Sequence, residues 1–165
     1  MKLLFIGDVV GNPGRRGLAE TMPRLKERFE PDLIVVNGEN SAGGMGITEK
    51  TAKDIFETGA DVITLGNHTY RHRDAYEYLD RAKRVIRPAN YRRSNPGTGV
   101  CRFEKAGVRI AVIHLSGTVG LTAARSPFDE IDLILADIEG ETDVRIVDFH
   151  AEVTSEKVAL GWYLD

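Results

Sequence analysis

Residues 33–40 read Leu-Ile-Val-Val-Asn-Gly-Glu-Asn, an apolar and β-branched run that ends in a glycine and polar side chains. A short apolar run without alternation is typical of a strand that is buried on both faces, as in a parallel sheet covered by helices. Glu39 and Asn40 then lie at the carboxyl end of that strand. The stretch predicts both an α/β fold and the position of a site.

Three further predicted strands end in the same way. They cover residues 3–6, 62–65 and 144–149, and the polar residues at or just beyond their ends are Asp8, Asn67, His68 and His150. In an open parallel sheet the carboxyl ends of adjacent strands open into one crevice. We therefore expect these residues to converge, although they are far apart in the sequence.

Helical patterns alternate with the strands. The predicted helices cover residues 14–29, 48–58, 74–83, 128–138 and 155–164. This order predicts an α/β layered sandwich, with a mixed, mostly parallel β-sheet flanked by helices. Residues 100–104 and 108–114 predict an antiparallel hairpin that joins the same sheet. Trp162 and Tyr163, on the last predicted helix, are expected in the core.

Composition sets the outer limits. The 165 residues are expected to form one domain, residues 1–165. Hydrophobic residues make up 42% and charged residues 28%, which excludes a disordered chain. The net charge of −3 gives no general reason to expect a membrane or nucleic-acid partner. No apolar stretch approaches the roughly 20 residues needed to span a bilayer, so no membrane association is expected.

Two local features bear on compartment and surface. Cys101 is the only cysteine, so an intramolecular disulfide is excluded and a reducing, cytoplasmic compartment is favoured. Its place in a predicted strand indicates a small structural residue. Residues 81–93 carry six basic side chains and are interpreted as a solvated rim, with contact to a phosphate-rich substrate as the alternative.

The polar residues at the strand ends suit a metal. Hard and borderline divalent cations prefer carboxylate and amide oxygens, and an imidazole suits manganese, iron or zinc. Taken singly, each residue is explained as a turn residue or a hydrogen-bonded structural side chain. Four strand ends with suitable donors together favour a metal site. A carboxylate between two cations can bridge them, which is an arrangement used in hydrolysis at phosphorus.

Three motifs carry a family resemblance. Residues 7–11 (GDVVG), 36–44 (VNGENSAGG) and 65–69 (LGNHT) resemble the calcineurin-like metallophosphoesterase superfamily, and within it the YmdB-like bacterial phosphodiesterase branch. The resemblance runs along nearly the whole chain. Val10 stands where many members of the superfamily have a histidine, a departure that this branch shares.

The resemblance implies a role for each residue at the strand ends. The metal ligands would be Asp8, Glu39, Asn40, Asn67 and His150. They would hold two divalent cations, with manganese and iron favoured and zinc and magnesium as further candidates, and Glu39 would bridge the two. His68 would be the catalytic acid, which protonates the leaving oxygen or orients the phosphate while a metal-activated water attacks phosphorus. An imidazole beside two cations can reach the departing oxygen and donate a proton near neutral pH. A simple structural donor is the alternative for His68.

The resemblance also implies a substrate and an assembly. The expected substrates are small phosphodiesters, with 2′,3′-cyclic nucleotides favoured and RNA as a further candidate. Members of the family continue to a Gly-x-His-x-His motif, which this chain does not reach before Asp165. The resemblance therefore implies a metallophosphoesterase domain that lacks the expected C-terminal portion. Such a domain would expose an apolar edge, so a homo-oligomer is expected.

Other functions stay open. The main alternative is a catalytically impaired regulatory module that still binds a phosphate or a nucleotide. A Rossmann-like dinucleotide domain is disfavoured because no glycine-rich fingerprint follows the first strand. The turn Arg71-His72-Arg73 is interpreted as an exposed basic turn, with phosphate binding as the alternative. His114 is interpreted as a structural residue.

Overall fold

The computed structural model describes residues 1–121 and 125–165. In this part of the chain the strands are β1 (Leu3–Ile6), β2 (Leu33–Asn37), β3 (Val62–Thr64), β4 (Val85–Ile86), β5 (Val100–Lys105), β6 (Val108–Ser116) and β7 (Val144–His150). The helices are α1 (Gly11–Phe29), α2 (Glu49–Glu57), α3 (Asp74–Arg81), α4 (Pro127–Asp137) and α5 (Thr154–Leu164). Strands and helices thus alternate as the sequence predicts.

The described strands form two sheets. The first has the order β1-β2-β3-β4 with every pair parallel. The second has the order β5-β6-β7, in which β5 is antiparallel and β7 is parallel to β6. The fold-class prediction of mixed, mostly parallel strands flanked by helices is confirmed.

The hairpin of β5 and β6 forms as predicted, but its place in the fold differs. It belongs to the second sheet, so the prediction that it joins the parallel sheet is wrong. The reason is that the hairpin has an apolar face of its own. Cys101, Ile110 and Val112 pack in one cluster with Leu33 and Val35 of β2, which puts the two sheets face to face.

Strand β2 shows why its sequence is an unbroken apolar run. Leu33 and Val35 face the second sheet, whereas Ile34 and Val36 pack in the cluster with helices α1 to α3. Because successive side chains of a strand point to opposite faces, both faces need apolar residues here. On the outer face of the second sheet, α4 and α5 cover Ile113 and Leu115. The layers therefore run helices, sheet, sheet, helices.

Several local predictions need correction. Helix α1 begins at Gly11 and not at residue 14, and the two-residue strand β4 lies inside the segment interpreted as a solvated basic rim. Arg87 of that segment is 6% exposed, and its guanidinium donates to the carbonyl oxygen of Pro88 at 2.8 Å. Trp162 and Tyr163 are 77% and 50% exposed, so the prediction that they belong to the core is wrong.

The structure also bears on the cysteine and on the membrane. Cys101 is 3% exposed, and burial raises the pKa of its thiol to about 11, which agrees with a structural role for the side chain. Across the described ranges, each helix is too short or too polar to cross a bilayer.

Candidate metal and phosphate site

The candidate site lies where the carboxyl ends of both sheets meet. The loops after β1 and β2 are held side by side, because the amide of Val9 donates to the carbonyl of Asn37 at 3.0 Å and the amide of Gly11 donates to that of Asn40 at 2.8 Å. Next to these two bonds Asp8 has φ +44°, a left-handed conformation that few residues other than glycine adopt. The strained backbone places the Asp8 side chain beside Asn40.

One half of the site is a chain of three side chains. The Asn40 amide Nδ2 donates to Asp8 Oδ1 at 2.8 Å. Asn40 Oδ1 lies 2.8 Å from Nδ1 of His68. Asn40 therefore connects the exposed carboxylate of Asp8 to the half-buried imidazole of His68.

The other half is centred on Glu39, whose side chain is 5% exposed. Its Oε1 lies 3.3 Å from Nδ1 of His150, and its Oε2 accepts from the backbone amide of His68 at 3.3 Å. The Nε2 atom of His150 lies 2.9 Å from Oδ1 of Asn67. The structure thus brings together all six residues that the sequence singles out, in one continuous network of contacts.

Two glycines leave room for this arrangement. A Cβ atom on Gly66 would lie 2.1 Å from Oε2 of Glu39, so the carboxylate occupies the space of the missing side chain. A Cβ atom on Gly38 would lie 2.9 Å from Cγ2 of Ile63. Each contact would be shorter than atoms allow, so both positions need glycine for the close approach of neighbouring groups.

The donor set fits a divalent cation in its chemistry. Two carboxylates, two amide oxygens and two imidazoles lie within one network, and this is the mixture that manganese, iron and zinc accept. In residues 1–121 and 125–165, however, no three His, Cys, Asp or Glu side chains form a group arranged to hold a metal ion. Within the network Glu39 lies 3.3 Å from His150 and 4.0 Å from His68, and the remaining contacts run through Asn40 and Asn67.

Asn90 completes the rim and was missed by sequence reasoning. Its amide Nδ2 donates to the carbonyls of Ser116 and Arg125, both at 2.7 Å, and its Oδ1 accepts from the amide of Ser116 at 2.9 Å. Ser116 is paired in register with His150. Asn90 follows an apolar strand, as the other site residues do, but β4 has two residues and was too short to be recognised.

Tyr91 was missed for the same reason. It is 6% exposed, and burial raises the pKa of its hydroxyl. A hydrogen bond with the Ser116 side chain lowers this pKa in part, and the negative charge of Glu39 raises it further. The Tyr91 ring centroid lies 6.4 Å from that of Tyr70, which follows His68 by two residues.

A buried pair lies on β6 and β7, next to the site. His114 is fully buried, and its Nδ1 lies 3.0 Å from Oδ2 of Asp148, two residues before His150. Burial acts to raise the pKa of the Asp148 carboxyl, but the contacts with His114 and Thr64 outweigh burial and hold that pKa below its ordinary value. The burial of His114 and its pairing with Asp148 agree with the interpretation of His114 as a structural residue.

The turn Arg71-His72-Arg73 lies next to the site. His72 is half-buried, and its Nε2 lies 2.9 Å from the carbonyl oxygen of Met45. This contact holds the turn against the loop of residues 41–46, which follows β2. Arg71 and Arg73 are exposed, in agreement with the interpretation of an exposed basic turn.

Comparison with known proteins identifies the family. The family model described as YmdB-like protein matches residues 4–165. The chain belongs to the YmdB-like family. This confirms the resemblance that the three motifs indicate.

The relatives of this YmdB-like chain are longer than it is. A Bacillus subtilis (strain 168) protein named 2′,3′-cyclic-nucleotide 2′-phosphodiesterase is 43% identical over 165 residues, which are 100% of this chain and 62% of the relative. A crystal structure of a hypothetical protein from Thermus thermophilus has a TM-score of 0.92 and 38% identity, and the match covers 100% of this chain and 64% of that one. A structure described as a novel phosphatase from Mycoplasma pneumoniae has a TM-score of 0.92 and 34% identity, with 100% and 60% covered.

Proposed function

We propose that this YmdB-like chain is a metal-dependent phosphodiesterase that acts on 2′,3′-cyclic nucleotides. The observation that carries the proposal is the nearly buried Glu39 carboxylate, which two histidines and two neighbouring loops surround where the sheets meet. A carboxylate removed from water is costly unless a positive charge or several hydrogen-bond donors compensate it. Divalent cations would supply that charge.

The names of relatives support the chemistry. The Bacillus subtilis relative is named as a 2′,3′-cyclic-nucleotide phosphodiesterase, and the Mycoplasma pneumoniae structure is described as a phosphatase. Both functions are hydrolysis of a phosphate ester, for which an oxygen-rich, divalent metal site is a general solution. Because the chain spans less than two thirds of these proteins, the activity and the substrate are proposed for it and not transferred to it.

The ligands that we propose for two divalent cations are Asp8, Glu39, Asn40, Asn67 and His150, with manganese or iron favoured and zinc or magnesium as further candidates. When bound, the cations supply an activated water and neutralise the charge that develops on the phosphate. Glu39 would offer its carboxylate from a nearly buried position. Asn40 contacts Asp8 and His68 and so sets their relative orientation.

His68 is the proposed acid. Its Nδ1 is fixed by Asn40 at 2.8 Å and its backbone amide is fixed by Glu39 at 3.3 Å, so the ring has little freedom to turn. The side chain is 31% exposed, which leaves it accessible to a substrate. In this position His68 would hold a proton and transfer it to the oxygen that leaves phosphorus.

The test is hydrolysis of 2′,3′-cyclic AMP by the purified chain with manganese, comparing wild type with His68→Asn. Loss of a general acid lowers kcat by about 10²- to 10⁴-fold. Manganese binding should be retained, since His68 is not among the proposed ligands. His72→Asn is the matched control, because His72 contacts the loop carbonyls of Ala42 and Met45 and should leave kcat within a few-fold, roughly. Full activity of His68→Asn would refute the proposed role.

A second candidate is a module that binds a phosphate or a nucleotide without turnover. It is favoured by one observation, namely that the donors of the site already contact one another through Glu39, Asn40 and the two imidazoles. Binding of adenosine 3′-monophosphate with no hydrolysis of the cyclic substrate at any manganese concentration would support this candidate.

We further propose that residues 1–165 form one domain that functions in the cytoplasm. The two sheets share one apolar cluster, which supports a single folding unit. The lone, buried Cys101 supports a reducing compartment.

A further inference from the structure

Three tyrosine rings form a row next to the candidate site. Tyr91 directly follows Asn90 of the rim, and its ring centroid is 6.4 Å from that of Tyr70. Tyr70 is two residues after His68, and its centroid is 5.1 Å from that of Tyr76. The Tyr70 hydroxyl donates to the carbonyl of Pro96 at 2.7 Å, which holds the middle ring in place. The row therefore leads from the buried rim of the site to Tyr76, which is 42% exposed.

A cavity of about 440 Å³ lies at the exposed end of the row. Its lining consists of Tyr70, Arg71, Arg73, Tyr76 and Glu77. The volume is in the range of a small-ligand site, about 300 to 1,000 Å³. The lining contains two guanidinium groups and one carboxylate, so it carries a net positive charge although the whole chain carries −3.

Exposed aromatic rings beside arginines are the elements with which proteins bind single-stranded nucleic acid, because a ring stacks on a base and a guanidinium binds a phosphate. A cyclic mononucleotide has one phosphate, and the proposed function places it at Glu39 and His68. The arginines of the cavity would then lack a phosphate. A second phosphate is present when the cyclic phosphate terminates a longer strand, and the 2′,3′ linkage requires ribose.

We propose that the cavity is a subsite for the nucleotide that precedes the terminal one, so that the site accepts the 3′ end of a short single-stranded RNA. This inference rests on the proposed function, since it takes the phosphate at Glu39 and His68 as its reference point. Tyr76 stacks on a base, and Arg71 and Arg73 bind the phosphate between the last two nucleotides. Glu77 accepts a hydrogen bond from a base amino group.

The test is equilibrium binding of a 5′-fluorescein-labelled tri-adenylate with a 3′-phosphate, measured by fluorescence anisotropy with manganese, since the 3′-phosphate leaves no cyclic ester to hydrolyse. Wild type should bind this trinucleotide more tightly than adenosine 3′-monophosphate, used as a competitor. Tyr76→Ala should weaken binding of the trinucleotide about 10-fold, since stacking carries that much per base. Tyr76→Phe keeps the ring and should bind as wild type does.

The arginines are tested by the salt dependence. The double variant Arg71→Ala/Arg73→Ala should reduce the slope of log K against log salt by about 0.7 for each phosphate that is no longer bound. The control is Arg24→Ala/Arg28→Ala, which removes the same charge from two positions on α1 and should leave the slope unchanged.

Unchanged binding of the trinucleotide by both Tyr76→Ala and Arg71→Ala/Arg73→Ala overturns the inference, as does a wild type that binds the trinucleotide no more tightly than the mononucleotide. Hydrolysis of 2′,3′-cyclic AMP is measured separately with manganese. Retained hydrolysis with unaffected trinucleotide binding means that the subsite is wrong and the proposed function stands. Trinucleotide binding that depends on Tyr76, without hydrolysis of 2′,3′-cyclic AMP, means that the subsite is right and the proposed function is wrong.

Discussion

At the scale of single residues, the close approach of Glu39 and Gly66 shapes the candidate site. The carboxylate occupies the space that any side chain at position 66 would fill, since a Cβ atom there would lie 2.1 Å from Oε2. The observed orientation of Glu39, directed at His68 and His150, depends on this space. The sequence does not predict this contact, because the contact joins two loops from different strands.

Gly66→Ala should displace the Glu39 carboxylate and weaken manganese binding by about 10- to 100-fold, the range observed when a residue that positions a ligand is changed. Isothermal titration with manganese measures the affinity. The control is Gly17→Ala on α1, where a Cβ atom meets nothing within 4 Å. It should leave the affinity unchanged and increase the free energy of unfolding by up to about 1 kcal/mol. Equal affinities for Gly66→Ala and wild type would contradict this role for the glycine.

The six site residues could be predicted because each follows an apolar run long enough to be recognised as a strand. Asn90 and Tyr91 lie at the same rim but follow a strand of two residues, which leaves no recognisable pattern. The buried position of Arg87 could not be predicted for a different reason. A run of basic residues does not reveal which guanidinium turns inward to bind backbone carbonyls.

At the scale of elements, the alternation of strands and helices was predictable, and the division into two sheets was not. Strand β2 needs apolar residues on both faces, but that pattern does not say whether a helix or another sheet covers each face. Helix α1 begins early, at Gly11, because the amide of Gly11 is bound to the Asn40 carbonyl and needs no side-chain cap. Both features depend on contacts between segments distant in sequence.

The contact between Arg109, near the start of β6, and Asp143, just before β7, predicts how the stability of the fold depends on pH. The side chain and the backbone amide of Arg109 donate to Asp143 and lower the pKa of its carboxyl from 3.8 to about 2. A carboxyl whose pKa is lower in the folded state stabilises the fold above its unfolded pKa, and this contribution is lost as the pH falls toward 2. Urea unfolding of Asp143→Asn should therefore show a weaker loss of stability between about pH 4 and 2 than wild type.

The control for this measurement is Glu152→Gln, an exposed carboxylate in the loop before α5. This variant should follow the pH dependence of wild type. The same pH dependence in Asp143→Asn and wild type would show that the Arg109 contact does not persist in solution.

At the scale of the whole molecule, both sheets bring their carboxyl ends to one rim, which is how residues from position 8 to position 150 become neighbours. The first sheet also has an open edge at β1, where Leu3 and Phe5 are 42% and 39% exposed. An exposed edge strand with apolar side chains favours association with another chain. Self-association of this chain therefore stays a prediction.

Light scattering over a dilution series measures this association. Wild type should form a dimer or larger assembly at high concentration, and Leu3→Lys should shift it toward the monomer because it places a charge on the edge. Leu133→Lys on α4 changes a residue of similar type that is 56% exposed and should leave the assembly unaffected. A stable monomer at high concentration would refute self-association.

The most direct test of the central claim, that the network centred on Glu39 is a divalent metal site, is the metal content of the purified chain after supply of manganese. Elemental mass spectrometry of wild type and Glu39→Ala gives the stoichiometry, with Glu49→Ala as the control for loss of an exposed carboxylate. We predict about two manganese ions per chain in wild type and in Glu49→Ala, as two-metal hydrolytic sites hold, with loss of both in Glu39→Ala. No manganese in wild type, or the same content in Glu39→Ala, would contradict the claim.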